Sequence, residues 1–182
     1  MKKITTRQMV LTAMMTALMC VLAPISLPIG PVPISLATFM IYLSAYVLGW
    51  RLSSLSVLIY LLLGFAGVPV FAGYTGGAAK ILGPTGGYLV GYILLAIIAG
   101  AFIEKGNSKL VLSFSGMVFG TLVLYALGTA WLMVSASMDL PSALLAGMIP
   151  FIPGDIAKMI VAYAVGPRVS TLLIKAGVTV EA

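Results

Sequence analysis

Charge is missing from four long stretches of this chain. Gln8 to Trp50, Leu52 to Ala79, Ile81 to Ile103 and Leu110 to Met138 contain no Asp, Glu, Lys, Arg or His and run for 43, 28, 23 and 29 residues. A helix that crosses a bilayer takes about 20 predominantly apolar residues. The first stretch is long enough for two such helices, and the proline-rich segment APISLPIGPVPIS from Ala23 to Ser35 interrupts it. The pattern predicts six helices, at Thr6 to Ala23, Ser35 to Gly49, Leu52 to Ala66, Gly87 to Ile103, Leu110 to Val134 and Gly154 to Ile174. Between the last two lies MDLPSALLAGMIPFIPG, apolar but broken by Pro141, Pro150 and Pro153. It reads as an interfacial or partly re-entrant helix, with a kinked extension of the last helix as the alternative.

Composition turns these helices into membrane spans. Of 182 residues, 62% are hydrophobic and 8% are charged, with a mean hydropathy of +1.19. Soluble domains carry about 25% charged residues, and a chain of this length cannot enclose so much apolar surface in one core. The expected fold is therefore an all-α integral membrane protein with residues 1–182 forming a single transmembrane domain. The basic, then apolar, start MKKITTRQMVLTAMM resembles a signal peptide but lacks a small-residue cleavage site, so it reads as a retained first helix. Cys20, the single cysteine, reads as a small buried hydrophobe in that helix.

The charges that remain set an orientation. With the amino terminus in the cytoplasm, six spans place Lys2, Lys3, Arg7, Arg51, Lys105, Lys109, Arg168 and Lys175 on the inner side. Lys80 alone falls in an outer loop, and Lys158 lies within the last helix. Eight against one is the asymmetry of the positive-inside rule, and both termini are then cytoplasmic. The net charge of +6 is spread as inner-face anchoring, which removes the need for a nucleic-acid partner.

That orientation turns FAGYTGGAAKILGPTGGYLVGY, Phe71 to Tyr92, toward the outside. Within it, Gly83-Pro84-Thr85-Gly86-Gly87-Tyr88 predicts a tight turn exposing backbone amides just before a helix, with Tyr88 and Tyr92 one helical turn apart beside it. Such a turn either holds the polar atoms of a ligand or packs against the spans, with tyrosines marking the interface. It does not fit a phosphate loop, since no Gly-Lys pair occurs in the chain. The absence of histidine, with two of the four acidic residues, Glu104 and Glu181, expected at the inner face, argues against a metal site or a histidine-based catalytic set. The chain reads as a non-enzyme without a cofactor, and any ATP hydrolysis it depends on belongs to another polypeptide.

Two further patterns carry chemistry. Pro153-Gly154-Asp155-Ile156-Ala157-Lys158 holds an opposite-charge pair at a spacing of three, which puts both side chains on one helical face. A charge at membrane depth costs between about 2.5 and 17 kcal/mol and demands a partner. The pair can supply an acceptor and a donor to a solute, or Asp155 can cap its helix while Lys158 snorkels. Small residues four apart recur at Ala13 and Ala17, at Gly87 and Gly91, and at Gly116 and Gly120. Such spacing permits close helix crossing; the two glycine pairs read as internal packing, whereas Ala13 and Ala17 can equally face a membrane partner.

Three segments together resemble one family. GVPVFAGYTGGAAKILGPTGGYLVGY from Gly67, IGPVPISLATF from Ile29 and IPFIPGDIAKM from Ile149 are similar to BioY, the biotin-binding membrane component of energy-coupling factor (ECF) transporters. The resemblance runs from the first helix to Arg168. It implies a six-transmembrane-helix S component in the bacterial cell membrane that captures biotin near the outer surface. Its implied partners are a transmembrane coupling protein, the T component, and two cytoplasmic ATPase subunits, with toppling of the small subunit as the transport motion. The proline-rich outer loop is expected to help close the site. The implied substrate-binding residues are Phe71, Tyr74, Gly83, Thr85, Gly86, Gly87, Tyr88, Asp155 and Lys158, and Ala13 and Ala17 are the implied docking residues. Architecture alone also fits a riboflavin or thiamine S component. A membrane assembly protein would bind no small molecule tightly, and an autonomous secondary transporter would need an inverted repeat that the two halves do not display.

Overall fold

The computed structural model describes residues 5–28, 31–106 and 109–176. Lys2, Lys3, Ile29, Gly30 and Glu181, which enter the sequence reading, lie outside the described residues. The chain folds as α1 (Thr6–Leu22), a short antiparallel hairpin of β1 (Ser26–Leu27) and β2 (Ile34–Ser35), α2 (Ala37–Phe65), α3 (Ala78–Leu82), α4 (Gly86–Lys105), α5 (Leu110–Ser135), α6 (Leu140–Gly147), a 3-10 turn at Ile149–Phe151, and α7 (Ile152–Lys175).

Helix α1 begins at a reciprocal cap. The Gln8 amide donates to Thr5 Oγ1 at 3.3 Å, and the Thr5 amide donates to Gln8 Oε1 at 2.9 Å, satisfying two donors that have no partner within the helix. Leu11, Thr12, Met15, Thr16 and Met19 recur every three or four residues and form its buried face. Thr16 Oγ1 and Ser56 Oγ, 2.9 Å apart, join that face to α2. Met9, Val10, Met14, Leu18 and Val21 are exposed on the other side together with Ala13 and Ala17. A helix apolar on both faces suits lipid rather than water.

Helix α2 doubles back. A straight helix of 29 residues would be roughly 42 Å long. Yet Ser35, just before its start, and Tyr60 and Phe71, near and beyond its end, line one small cavity. The reversal is at Gly49, whose φ of 71° and ψ of 178° break the helix. A side chain resists that conformation, and a Cβ there would also meet Glu104 Oε2 at 3.1 Å. Ala37–Leu48 and Trp50–Phe65 are thus antiparallel segments close to the second and third sequence-predicted helices. Four helical stretches, Ala37–Phe65, Gly86–Lys105, Leu110–Ser135 and Leu140–Lys175, are long and apolar enough to cross a membrane, and Thr6–Leu22 is a shorter apolar helix.

Helices α4 and α5 form the closest pair. A Cβ on Gly91 would fall 2.7 Å from Leu124 Cδ1, and one on Gly120 would fall 2.9 Å from Leu95 Cδ1. Gly87 and Gly116 lie directly against Trp131 and Phe102. The glycine spacings read from the sequence as internal packing do serve that crossing. MDLPSALLAGMIPFIPG forms helix α6 and the 3-10 turn, which run into α7 through a break at Met148, so the stretch Leu140–Lys175 is a kinked extension of the last helix. Pro150 in the turn and Pro153 in the first turn of α7 occupy positions that tolerate a missing amide donor.

The fold has two distinct ends. The Gly73 amide donates to Pro24 O at 2.9 Å, and Ile34 approaches Gly154, which gathers the ends of α1 and α2, the hairpin and the start of α7. At the opposite end Gly49 lies near Glu104, Gly100 against Trp50, and Gly106 near Leu112. Arg7, Arg51, Lys105, Lys109, Arg168 and Lys175 belong to that second end by their places along the helices, whereas Lys80 and Lys158 belong to the first.

Candidate functional site

Helix α7 brings Asp155, Met159, Ala162 and Gly166 to its buried face, and Lys158 stands one turn from Asp155. The two side chains form an ion pair, Lys158 Nζ to Asp155 Oδ1 at 2.9 Å. Thr38 Oγ1 donates to the same oxygen at 2.9 Å and accepts from Lys158 Nζ at 3.1 Å. Tyr125 OH donates to Asp155 Oδ2 at 2.6 Å. Asp155 is 3% exposed, and its two carboxylate oxygens accept from three donors drawn from α2, α5 and α7. It makes no capping bond to backbone amides, and Lys158 is turned inward with 12% of its side chain exposed. The cap and snorkel alternative is therefore overturned.

The pair borders a cleft beneath the β1–β2 hairpin. One section is lined by Thr38, Tyr125, Asp155, Lys158 and Phe151, and the next by Tyr60, Phe71, Lys80, Thr85 and Leu89. Val32, Pro33, Ser35, Tyr88 and Tyr92 line both, making the sections one continuous feature. The cavity volume of each is about 30 Å³, room for about two waters. Two segments cover the cleft. Those segments are the hairpin and the loop from Ala66 to Thr85, which Tyr60 OH holds through Val70 O at 3.1 Å.

The expected site residues divide into two groups. Asp155, Lys158, Phe71, Thr85 and Tyr88 line the cleft. Phe71 packs edge-on against Tyr60 with ring centroids 5.5 Å apart, and Tyr88 stacks near Phe151 while its hydroxyl donates to Gly147 O at 2.8 Å. Tyr74 and the three glycines lie outside the lining. Tyr74, at φ 57°, is 66% exposed at the tip of the Phe71–Thr75 turn.

Some amides of the glycine turn are taken up by backbone carbonyls. The Gly86 amide donates to Gly83 O at 3.0 Å, and those of Tyr88 and Leu89 donate to Thr85 O at 3.1 and 3.2 Å. Gly83, Gly86 and Gly87 do not have positive φ. A Cβ on Gly86 would overlap Ile81 O, and one on Gly87 would fall 2.8 Å from Leu127 O. Trp131 Nε1 donates to Gly83 O at 2.9 Å, which ties the turn to α5. Close packing is what these glycines permit here, and it aims Thr85 and Tyr88 into the cleft.

Sequence reasoning did not place Thr38, Tyr125, Ser35, Tyr60, Lys80 or Phe151 among the site residues, and it read Lys80 only as the outer-loop cation. Thr38 lay inside the motif IGPVPISLATF, and Tyr125 is a lone phenol in the apolar run TLVLYALG, a signal too weak to name its partner.

The chain as a whole is similar to known proteins. The sequence profile of the BioY family matches residues 1–175. The biotin transporter BioY of Thermotoga maritima is 43% identical over 166 residues, covering 91% of this chain and 97% of that protein. The probable biotin transporter BioY of Pyrococcus horikoshii is 41% identical over 162 residues, 89% and 95% of the two chains. A crystal structure of the S-component for biotin from an ECF-type ABC transporter superposes with a TM-score of 0.83 over 90% of both chains, at 30% identity. With the fold, the profile and these relatives in agreement, the chain belongs to the BioY family.

Proposed function

We propose that this protein is the biotin-capturing S component of an ECF transporter. The observation that carries the reading is the Asp155–Lys158–Thr38–Tyr125 network at the wall of a cleft in a BioY-family fold. The ureido group of biotin has two N–H donors and one C=O acceptor, and its fused rings are largely apolar. A wall of tyrosines, Phe71 and Phe151 suits those rings, and Lys158 supplies a donor for a polar edge. Phe71, Thr85, Tyr88, Asp155 and Lys158 contact the solute in this reading. Gly83, Gly86 and Gly87 shape the wall, and Tyr74 belongs to the segment that moves as the cleft opens.

Residues 1–182 act as one unit with six spans, the Gly49 turn joining the second and third. The cleft faces outward and both termini are cytoplasmic, a reading supported by the collection of basic residues at the end opposite the cleft. Transport requires a T component and two cytoplasmic ATPase subunits, with the exposed Ala13–Ala17 face of α1 as the docking surface. Calorimetric titration of the purified chain in detergent tests the central point. Saturable binding of biotin without ATP is expected; saturable binding of riboflavin or thiamine with none of biotin would overturn the assignment.

A further inference from the structure

The two sections of the cleft differ in charge. At one end Lys158 and Asp155 neutralise each other, and both carboxylate oxygens already accept from protein donors. A second carboxylate placed there would meet the charge of Asp155 in a desolvated setting, so this end suits a neutral polar group. At the other end Lys80 lines the cleft beside Tyr60, Phe71 and Thr85. Among the described residues the one ion pair is Lys158 with Asp155, which leaves the Lys80 ammonium without a carboxylate partner. Its backbone is held in place: the Lys80 amide donates to Gly77 O at 3.1 Å, and Thr85 Oγ1 donates to Lys80 O at 3.3 Å.

We infer that Lys80 is a specificity-determining residue that binds the carboxylate of the solute, while the neutral bicyclic head lies against Lys158. This rests on the biotin reading and adds to it a direction and a charge requirement. A lysine lining the aromatic section of the cleft, away from a self-neutralised pair, suits a ligand with an apolar body and one terminal anion. In an otherwise apolar protein, the Lys80 side chain is the counter-charge for that anion rather than a general attractor.

Comparing biotin with biotinamide, which keeps the rings and chain but has no charge, tests this by calorimetry. The wild type is expected to bind biotin about tenfold or more tightly than the amide, the span of a charge-assisted hydrogen bond. Lys80→Gln is expected to lower biotin affinity to near that of the amide while leaving amide affinity unchanged, and Lys80→Arg to restore the preference. Equal affinity of the wild type for both ligands would overturn the inference even if no variant can be purified. So would unchanged biotin affinity in Lys80→Gln, which would assign Lys80 to the membrane surface, or an equal loss for both ligands, which would assign it to packing. A wild type that binds neither ligand would instead overturn the biotin reading itself.

Discussion

Tyr125 on α5 donates a 2.6 Å hydrogen bond to Asp155 on α7, across 30 residues of sequence and a helix, α6, that intervenes in the chain. It occupies the carboxylate oxygen that Lys158 and Thr38 leave open, since both of these bind Oδ1. The ion pair is thus one part of a four-residue network that locks α2, α5 and α7 together at the wall of the cleft. Tyr125→Phe keeps the ring and deletes that bond. It is expected to lower biotin affinity and thermal stability together, each by about 1.5 to 3 kcal/mol. Titration and a thermal melt of the same variant check this, and loss of stability with intact affinity would separate the network from the ligand.

The charged pair itself predicts non-additivity. Asp155→Asn leaves the Lys158 ammonium in a buried setting without its counter-charge, and Lys158→Met leaves the Asp155 carboxylate with only hydroxyl donors. Removing one member of a buried pair costs about 3 to 5 kcal/mol, much of it for the charge left behind. The double variant is therefore expected to be more stable than the sum of the single losses by at least about 1 kcal/mol, though its biotin affinity stays low. Thermal unfolding of the four proteins in one detergent measures the difference.

At the glycine turn, the nature of the neighbour ranks two substitutions. A Cβ at Gly87 meets the Leu127 carbonyl at 2.8 Å and the Trp131 side chain near its root, neither of which can swing away. A Cβ at Gly91 meets the far end of Leu124 at 2.7 Å, which can change rotamer. Gly87→Ala is expected to reduce monodisperse yield and melting temperature more than Gly91→Ala. Size-exclusion profiles and melts of both variants provide the ranking. Gly87→Val is expected to lose affinity only together with fold.

On α1, Ala13 and Ala17 are exposed on a face that the other described residues leave uncovered, while Thr12 and Thr16 are turned inward. Ala13→Trp with Ala17→Trp is expected to preserve biotin binding by the solitary chain and to abolish stable assembly with a T component and its ATPases. Co-purification and titration on the same double variant check both halves. Loss of binding along with assembly would mean that this face supports the bundle.

Much of the architecture was legible because it depends on short-range regularities. Charge-free stretches of sufficient length located the helical segments, the spacing of Gly87, Gly91, Gly116 and Gly120 marked the α4–α5 crossing, and the interval of three put Asp155 and Lys158 on one face. Each follows from the helical repeat of 3.6 residues or from the thickness of lipid, quantities that need no knowledge of which helix lies beside which. The site needed more. Thr38 and Asp155 are 117 residues apart, and no local pattern makes a threonine in one helix the donor for a carboxylate in another. The same limit applied to Gly86 and Gly87, where a loop built for a ligand and a loop pressed against Trp131 have the same sequence signature. It applied again to Lys80, an outer-loop cation by charge counting and a cleft-lining residue once α3 folds between the turn at Gly77 and the start of α4. Partner choice among buried polar groups is decided where the helices cross, because there the cost of an unsatisfied charge in a desolvated interior falls on whichever donors the packing brings within reach.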